Sequence, residues 1–264
     1  MRKIIRFLGL QINGLFPWLY PFIDQVSKPI FLLGPLYFFL DFFKYSKLAH
    51  GKNVFMPKIL DFYPIYFDRF AEAGIVPKHY FFQDIWASRI IFELGVKKHY
   101  DVGSRLDGFI SHCLSFCEVT MLDVRPLPIT VSGLTFLQTD CTKMTKLKSG
   151  SLSSISSLHA IEHFGLGRYG DPIDPDGYRK AISEIQRVVK SNGDIIFACP
   201  IGRERLEFNA HRVFNPKSIM TLFKQCKLIE FSAVDDNNRF INNADIKAFD
   251  KAEFSCGLFH FKKT

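Results

Sequence analysis

Three aspartates, Asp101, Asp123 and Asp140, stand at the ends of three short apolar runs in the middle of the chain. The first leads into Val102-Gly103-Ser104, and the second lies 20 residues beyond Gly103. A glycine turn lets backbone come close to a nucleotide-like ligand, and a carboxylate ending the next strand can accept both hydroxyls of a ribose. Asp140, in Gln138-Thr139-Asp140-Cys141, sits where a side chain reaches an adenine amino group. A single strand-end aspartate is as readily a loop cap. Three in register at successive strand ends point to a nucleotide-like cofactor.

Two cofactor classes need that geometry. A dinucleotide fingerprint GxGxxG aligns Gly103, position 105 and Gly108, but Arg105 places a side chain where a pyrophosphate must approach. A nicotinamide-dependent oxidoreductase is therefore the weaker alternative. S-adenosylmethionine has no pyrophosphate and tolerates the variation. Asp101 would then position its amino end, Gly103 give close approach and Asp123 take the ribose.

Further on, His159-Ala160-Ile161-Glu162-His163 follows a fourth apolar run. It matches the HxxEH zinc-protease pattern, which requires a long helix carrying both histidines on one face. Phe164-Gly165-Leu166-Gly167 stops any helix at once, so this motif predicts no metal. As the loop after a fourth strand it faces cofactor and acceptor, and His163 or Glu162 can accept a proton from an acceptor hydroxyl. A local structural role for Glu162 is the competing reading. Tyr169 and Asp171, in an acidic and proline-bearing stretch, are candidates for acceptor contacts. His211-Arg212 would form the other wall of that pocket, or be solvated.

The elements that position these residues are legible from residue 96 onward. Short apolar runs alternate with helical patterns: strands at Lys97–Gly103, Val119–Val124, Leu134–Leu137, Ser151–Leu158 and Ile195–Cys199, and a helix at Phe109–Phe116. Tyr178, Ala181, Ile182, Ile185, Val188 and Val189 mark one helix face. Asp174-Pro175-Asp176 precedes that helix, and Asn192-Gly193 supplies a left-handed stop. Asn215-Pro216 opens another helix, and Leu228–Val234 and Phe254–Phe261 read as closing strands, separated by a polar excursion at Asp235–Asp250. The alternation predicts an α/β fold: a Rossmann-like, doubly wound, mostly parallel seven-stranded sheet.

Composition bounds the rest. The chain has 264 residues, 47% hydrophobic and 23% charged, long enough for a real core and incompatible with global disorder. Six cysteines without a CxxC pair argue against a disulfide framework or a zinc module and for a reducing compartment. The net charge of +8 comes without a basic run, and no Asp/Asn-Pro-Pro-aromatic motif follows the fourth strand, so nucleic acid is not the expected substrate. Residues 1–82 hold 21 of the 40 Phe, Tyr and Trp residues. Pro29–Leu40 is too short for a span, and Phe7–Ile23 is broken by Gln11, Asn13, Pro17 and Pro21. The division expected is an aromatic-rich helical appendage at 1–82 and an α/β domain at 83–264. The appendage either caps the domain or rests on a membrane surface through residues 1–45, where Arg2, Lys3 and Arg6 stand beside Phe7, Phe16 and Trp18.

Over residues 84–234 the chain resembles class I S-adenosylmethionine-dependent methyltransferases. The resemblance rests on Asp101-Val102-Gly103, Asp123, Asp140, His159–His163 and the helix–Ser191-Asn192-Gly193-Asp194–strand unit. Gln83–Arg89, His163–Gly177 and Phe208–Val213 are similar to a methyltransferase-like family catalogued as a domain of unknown function. The resemblance implies S-adenosylmethionine held by Asp101, Gly103, Ser104, Asp123, Asp140 and His159. It also implies a small-molecule or glycan acceptor, from similarity to members of surface-polysaccharide gene clusters. The expected location, from the cysteine usage and the N-terminal segment, is the cytoplasm with access to the inner membrane face. Arg105 and Asp107 replace the second and third glycines of the family's loop, and Ser153 its acidic residue at the fourth strand. A catalytically inactive relative that keeps the fold is the alternative these departures imply.

Overall fold

The computed structural model describes residues 30–52, 55–66, 74 and 78–264. The basic and aromatic residues of the expected interfacial anchor up to residue 29 lie outside the described residues. The chain divides into two compact units, Met1–Ile75 and Val76–Thr264.

In the first unit, α1 (Ile30–Ala49) is one helix with Pro35 inside it. Gly34 admits the Tyr66 side chain, since a Cβ there would lie 2.6 Å from the Tyr66 Cβ. Phe38 and Phe42 meet the Phe62 ring edge-on, with centroids 5.3 and 4.9 Å away. Leu36, Phe39, Leu40 and Phe43 on the same helix are exposed. No helix among the described residues is long and apolar enough to cross a membrane.

The second unit opens with α2 (Lys78–Glu93), a helix that runs across the expected 82/83 boundary. Ten strands follow: β1 (Lys98–Val102), β2 (Glu118–Asp123), β3 (Leu134–Gln138), β4 (Leu152–Leu158), β5 (Val189–Ile201), β6 (Arg205–Glu207), β7 (His211–Val213), β8 (Cys226–Val234), β9 (Phe240–Ile241) and β10 (Ser255–Lys263). Between them lie α3 (Ser111–Leu114), α4 (Gly177–Val188) and α5 (Pro216–Leu222). The main sheet has the order β3-β2-β1-β4-β5-β10-β8-β9. The first five strands pair in parallel, and β10 runs antiparallel between β5 and β8. This is the predicted doubly wound sheet, with β9 adding a two-residue eighth strand on the edge of β8.

The two faces follow from alternation along the central strands. Ile195, Phe197 and Cys199 of β5 pack with Ala181, Ile182 and Ile185 of α4. Ile196 and Ala198 point the other way, toward Trp86, Ala87 and Ile91 of α2. The serines of β4 have a different task. His99 on β1 is fully buried and bridges Ser154 and Ser156 at 2.8 Å each. Burial pushes its imidazole down to about 3, so it is neutral.

Local departures from the sequence reading are few. The expected helix Phe109–Phe116 is a wide turn (Leu106–Ile110) followed by the single turn of α3. Gly108 there backs onto Asp84, which leaves no room for a Cβ. Asn192 does take a left-handed φ of 62°, but inside β5, not at the helix end, because Val189 already pairs with Leu152 on β4. The stretch after β5 is a small hairpin, β6 with β7, in place of a plain loop.

Candidate active site

The strand order reverses between β1 and β4, so the carboxyl ends of these strands splay apart and leave a crevice. Gly103 turns out of β1 with φ 70°, and a Cβ on it would stand 3.0 Å from the Ala160 Cβ. The turn is thus a cradle that only glycine forms comfortably. Asp123 ends β2 directly beside it. Gly103, Asp123, Asp140, His159, His163, Tyr169 and Asp171 line one cavity. An outer cavity continues past Gly103, His159 and His163 to Glu162, His211, His79 and Tyr80. Sequence reasoning placed most of its candidates in one place.

Two cofactor candidates lie beneath the cavity wall. Asp101 is fully buried, and its carboxylate accepts from Ser104 N–H (2.9 Å), Ser104 Oγ (2.7 Å) and Ser156 Oγ (2.5 Å). The register that sets Asp101 opposite Ser156 explains the last bond. Burial raises the Asp101 carboxyl to about 6, against these donors. Asp101 and Ser104 therefore hold the Gly103 turn in shape. Arg105 lines the outer cavity, where its guanidinium pairs with Asp107 and lies 5.1 Å over Tyr80.

Asp123 takes a forked pair of bonds from Arg125, at 3.0 and 2.7 Å, plus the Arg125 N–H at 2.8 Å. The guanidinium also lies 4.5 Å over the Tyr169 ring. Arg125, two residues past Asp123, was not among the candidates, and only its proximity in sequence signalled it. Asp140 caps its own turn, accepting from Thr142 N–H and Oγ1.

On the far side, Ile161–His163 form a single turn of 3-10 helix, so the two histidines of the HxxEH pattern never share a helix face. His163 Nδ1 donates to the Ala210 carbonyl (2.6 Å), which leaves its lone pair on Nε2, 3.8 Å from Glu162 Oε1. Burial holds His163 down at about 4 and lifts Glu162 up to about 8. At neutral pH both are uncharged: Nε2 of His163 carries a lone pair and Glu162 a proton.

The acceptor candidates divide. Asp171 binds the loop N–H groups of Gly165 (2.7 Å) and Tyr169 (3.2 Å) and so folds the segment that carries Tyr169. The Tyr169 ring meets His163 edge-on at 5.4 Å and Arg168 at 5.1 Å. His211 lines the outer cavity and pairs with Glu207 at 2.9 Å. Arg212 points elsewhere: it donates to the Phe164 carbonyl (2.7 Å), stacks 4.7 Å over Tyr178 and lines a separate groove. It clamps the loop instead of forming the pocket wall.

The family described as Caenorhabditis protein of unknown function, DUF268, matches residues 132–258. No curated protein matches the chain. Among solved structures it is similar to the Burkholderia thailandensis 1,6-didemethyltoxoflavin-N1-methyltransferase, crystallised with S-adenosylhomocysteine, at 15% identity and TM-score 0.51, covering 69% of this chain and 78% of that one. A putative sarcosine dimethylglycine methyltransferase from Galdieria sulphuraria gives 14% identity and TM-score 0.50, over 69% and 85% of the two chains. The cyclase SpnF gives 11% and 0.50, over 67% and 80%. The chain has the class I methyltransferase fold. That a cyclase shares it shows that the fold leaves the reaction to the site.

Proposed function

We propose that the protein is an S-adenosylmethionine-dependent methyltransferase acting on a hydroxyl, that of a sugar or a lipid-linked glycan. The observation that carries this reading is the Gly103 cradle and the Asp123 carboxylate facing one cavity at the strand-order reversal, with His163 at its far side. Gly103, Asp123 and Asp140 would hold the cofactor, with Asp101 and Ser104 shaping the turn from below and His159 at the junction of the two cavities. When bound, S-adenosylmethionine supplies a methyl group already activated as a sulfonium. The protein's share is to align the acceptor, exclude water and take its proton. Nε2 of His163 is placed to accept that proton, and Tyr169 and His211 flank the acceptor's approach.

The exposed Leu36, Phe39, Leu40 and Phe43 of α1 support peripheral contact of residues 1–45 with the inner membrane face, where a lipid-linked acceptor resides. One observation favours the second reading, an inactive relative: the Arg125 fork already occupies the carboxylate that a ribose needs. Calorimetry with S-adenosylmethionine and S-adenosylhomocysteine separates the two. Micromolar binding supports the enzyme; no heat at high micromolar ligand with folded protein removes it.

A further inference from the structure

A ring nitrogen of His79, a ring nitrogen of His159 and the Sγ of Cys256 all lie within 4.8 Å of one another. The three come from distant parts of the chain. His79 is in the first turn of α2, His159 follows β4, and Cys256 is near the start of β10. They converge because Leu158 and Cys256 belong to the sheet face that α2 covers.

A buried thiol is ordinarily a small apolar filler, and a buried histidine ordinarily has its hydrogen bonds met. Cys256 packs in the apolar cluster beneath α2, but His159 departs from the ordinary case. Cys256 is fully buried, and its sulfur has only loose contacts, 3.9 Å to the Gly257 carbonyl and 4.0 Å to His159 Nδ1. His159 adopts φ 50°, a conformation that costs a non-glycine residue free energy. Its Nδ1 lies 2.5 Å from Gln83 Oε1, and Gln83 in turn donates from Nε2 to Asp84 Oδ1 at 3.0 Å. Asp84 thereby fixes which way the Gln83 amide points. Nδ1 of His159 must carry the hydrogen, and its lone pair falls on Nε2, which is buried with no partner. A ring nitrogen donated to an amide oxygen, with the other lone pair free, is how a metal-binding histidine is held.

We propose that His79, His159 and Cys256 form a site for a divalent transition metal ion of the zinc type. Two imidazoles and one thiolate are a borderline-soft donor set that suits zinc better than calcium or magnesium. Zinc bonds of about 2.0–2.3 Å place tetrahedral ligands roughly 3.3–3.8 Å apart, so the cluster must close by about 1 Å and the His159 ring must turn to bring Nε2 to the ion, since it is Nδ1 that lies 4.0 Å from the Cys256 sulfur. Binding releases the thiol proton to solvent. Three protein ligands leave a fourth position, and His79 and His159 line the outer cavity together with Glu162, whose Oε2 is also buried without a partner. An acceptor oxygen is the group that position would take. The site stands on side-chain chemistry alone and holds whether or not the inner cavity takes S-adenosylmethionine.

The test is made on the full chain, purified without chelator or histidine tag and equilibrated with stoichiometric Zn2+ or Co2+. Elemental analysis should find about one zinc per chain, and the cobalt form should show a thiolate-to-cobalt charge-transfer band. His79→Ala and Cys256→Ser should each lose at least tenfold in zinc affinity, and Gln83→Leu about 10- to 100-fold. Cys199→Ser, at a buried thiol on β5, should keep the ion and the band. Circular dichroism on each variant separates ligand loss from unfolding. Folded wild-type protein that retains no zinc, or a cobalt band unchanged in Cys256→Ser, overturns the proposal. Should Cys256→Ser fail to fold, the wild-type cobalt spectrum decides: no thiolate band, no site.

Discussion

At the glycine-turn end of the cavity every carboxylate has its donors, whereas at the histidine end buried polar atoms of His159 and Glu162 have none. Asp101 binds Ser104 and Ser156, Asp123 binds Arg125, and Asp140 binds Thr142. Opposite them, Nε2 of His159 and Oε2 of Glu162 are buried and unpartnered. A buried polar group without a partner costs free energy that a folded chain normally avoids. The contrast therefore separates a part of the site whose polar groups are satisfied within the chain from a part where buried polar atoms find no partner in the chain.

Four substitutions sharpen or break that contrast. The largest effect is expected from Glu162→Gln. The Glu162 carboxyl is lifted to about 8 by burial, so the folded protein binds a proton that the unfolded chain gives up above its ordinary value. Relative to the Gln variant, the wild type should lose stability as pH rises from about 4.5 to about 8, at up to roughly 1.4 kcal/mol per unit, on top of the pH dependence that the buried histidines give both proteins. Parallel melting curves for the two proteins across that range would contradict the assignment. Next comes Asp101→Ala, which strips donors from their acceptor in a buried turn and should cost about 3 kcal/mol in urea unfolding. A loss under 1 kcal/mol would mean that the turn holds its shape unaided.

The two smaller effects concern ligand. Asp123→Ala should weaken S-adenosylmethionine binding about 10- to 100-fold in calorimetry, since hydrogen bonds to a charged group are worth about 1.5–3 kcal/mol. Unchanged affinity would put the ribose elsewhere. Arg125→Ala should act in the opposite direction and tighten binding by no more than about fivefold, because the half-exposed pair it breaks is worth at most about 1 kcal/mol. Weaker binding in that variant would show Arg125 to be a ligand contact and not a competitor.

The inner cavity was more legible in the sequence than the outer one, for a local reason. Gly103, Asp123 and Asp140 sit at strand ends, and strand ends of a parallel sheet meet at one edge whatever the packing. The outer cavity draws on α2, the loop after β4 and the start of β10, whose approach depends on how a helix lies across strands. Nothing in the spacing of His79, Gln83 and Cys256 announces that they meet. The same limit applies to roles. Asp101 looked like a ligand contact because of its position in the motif, and only the Ser156 hydroxyl from the neighbouring strand shows it to be internal scaffolding. Arg212 was read as a pocket wall, and its bond to the Phe164 carbonyl turns it away.

By itself the sequence determined the alternation of strands and helices, the buried runs such as Ile195–Cys199, and the strand-end acids. Periodicity and turn residues act over a few residues and need no knowledge of the partner. Tertiary structure decided which polar groups are satisfied, which protonation states burial imposes on Glu162 and His163, and which histidine meets which thiol. Those depend on desolvation and on atoms brought together from distant segments, and neither is written in any local stretch of the chain.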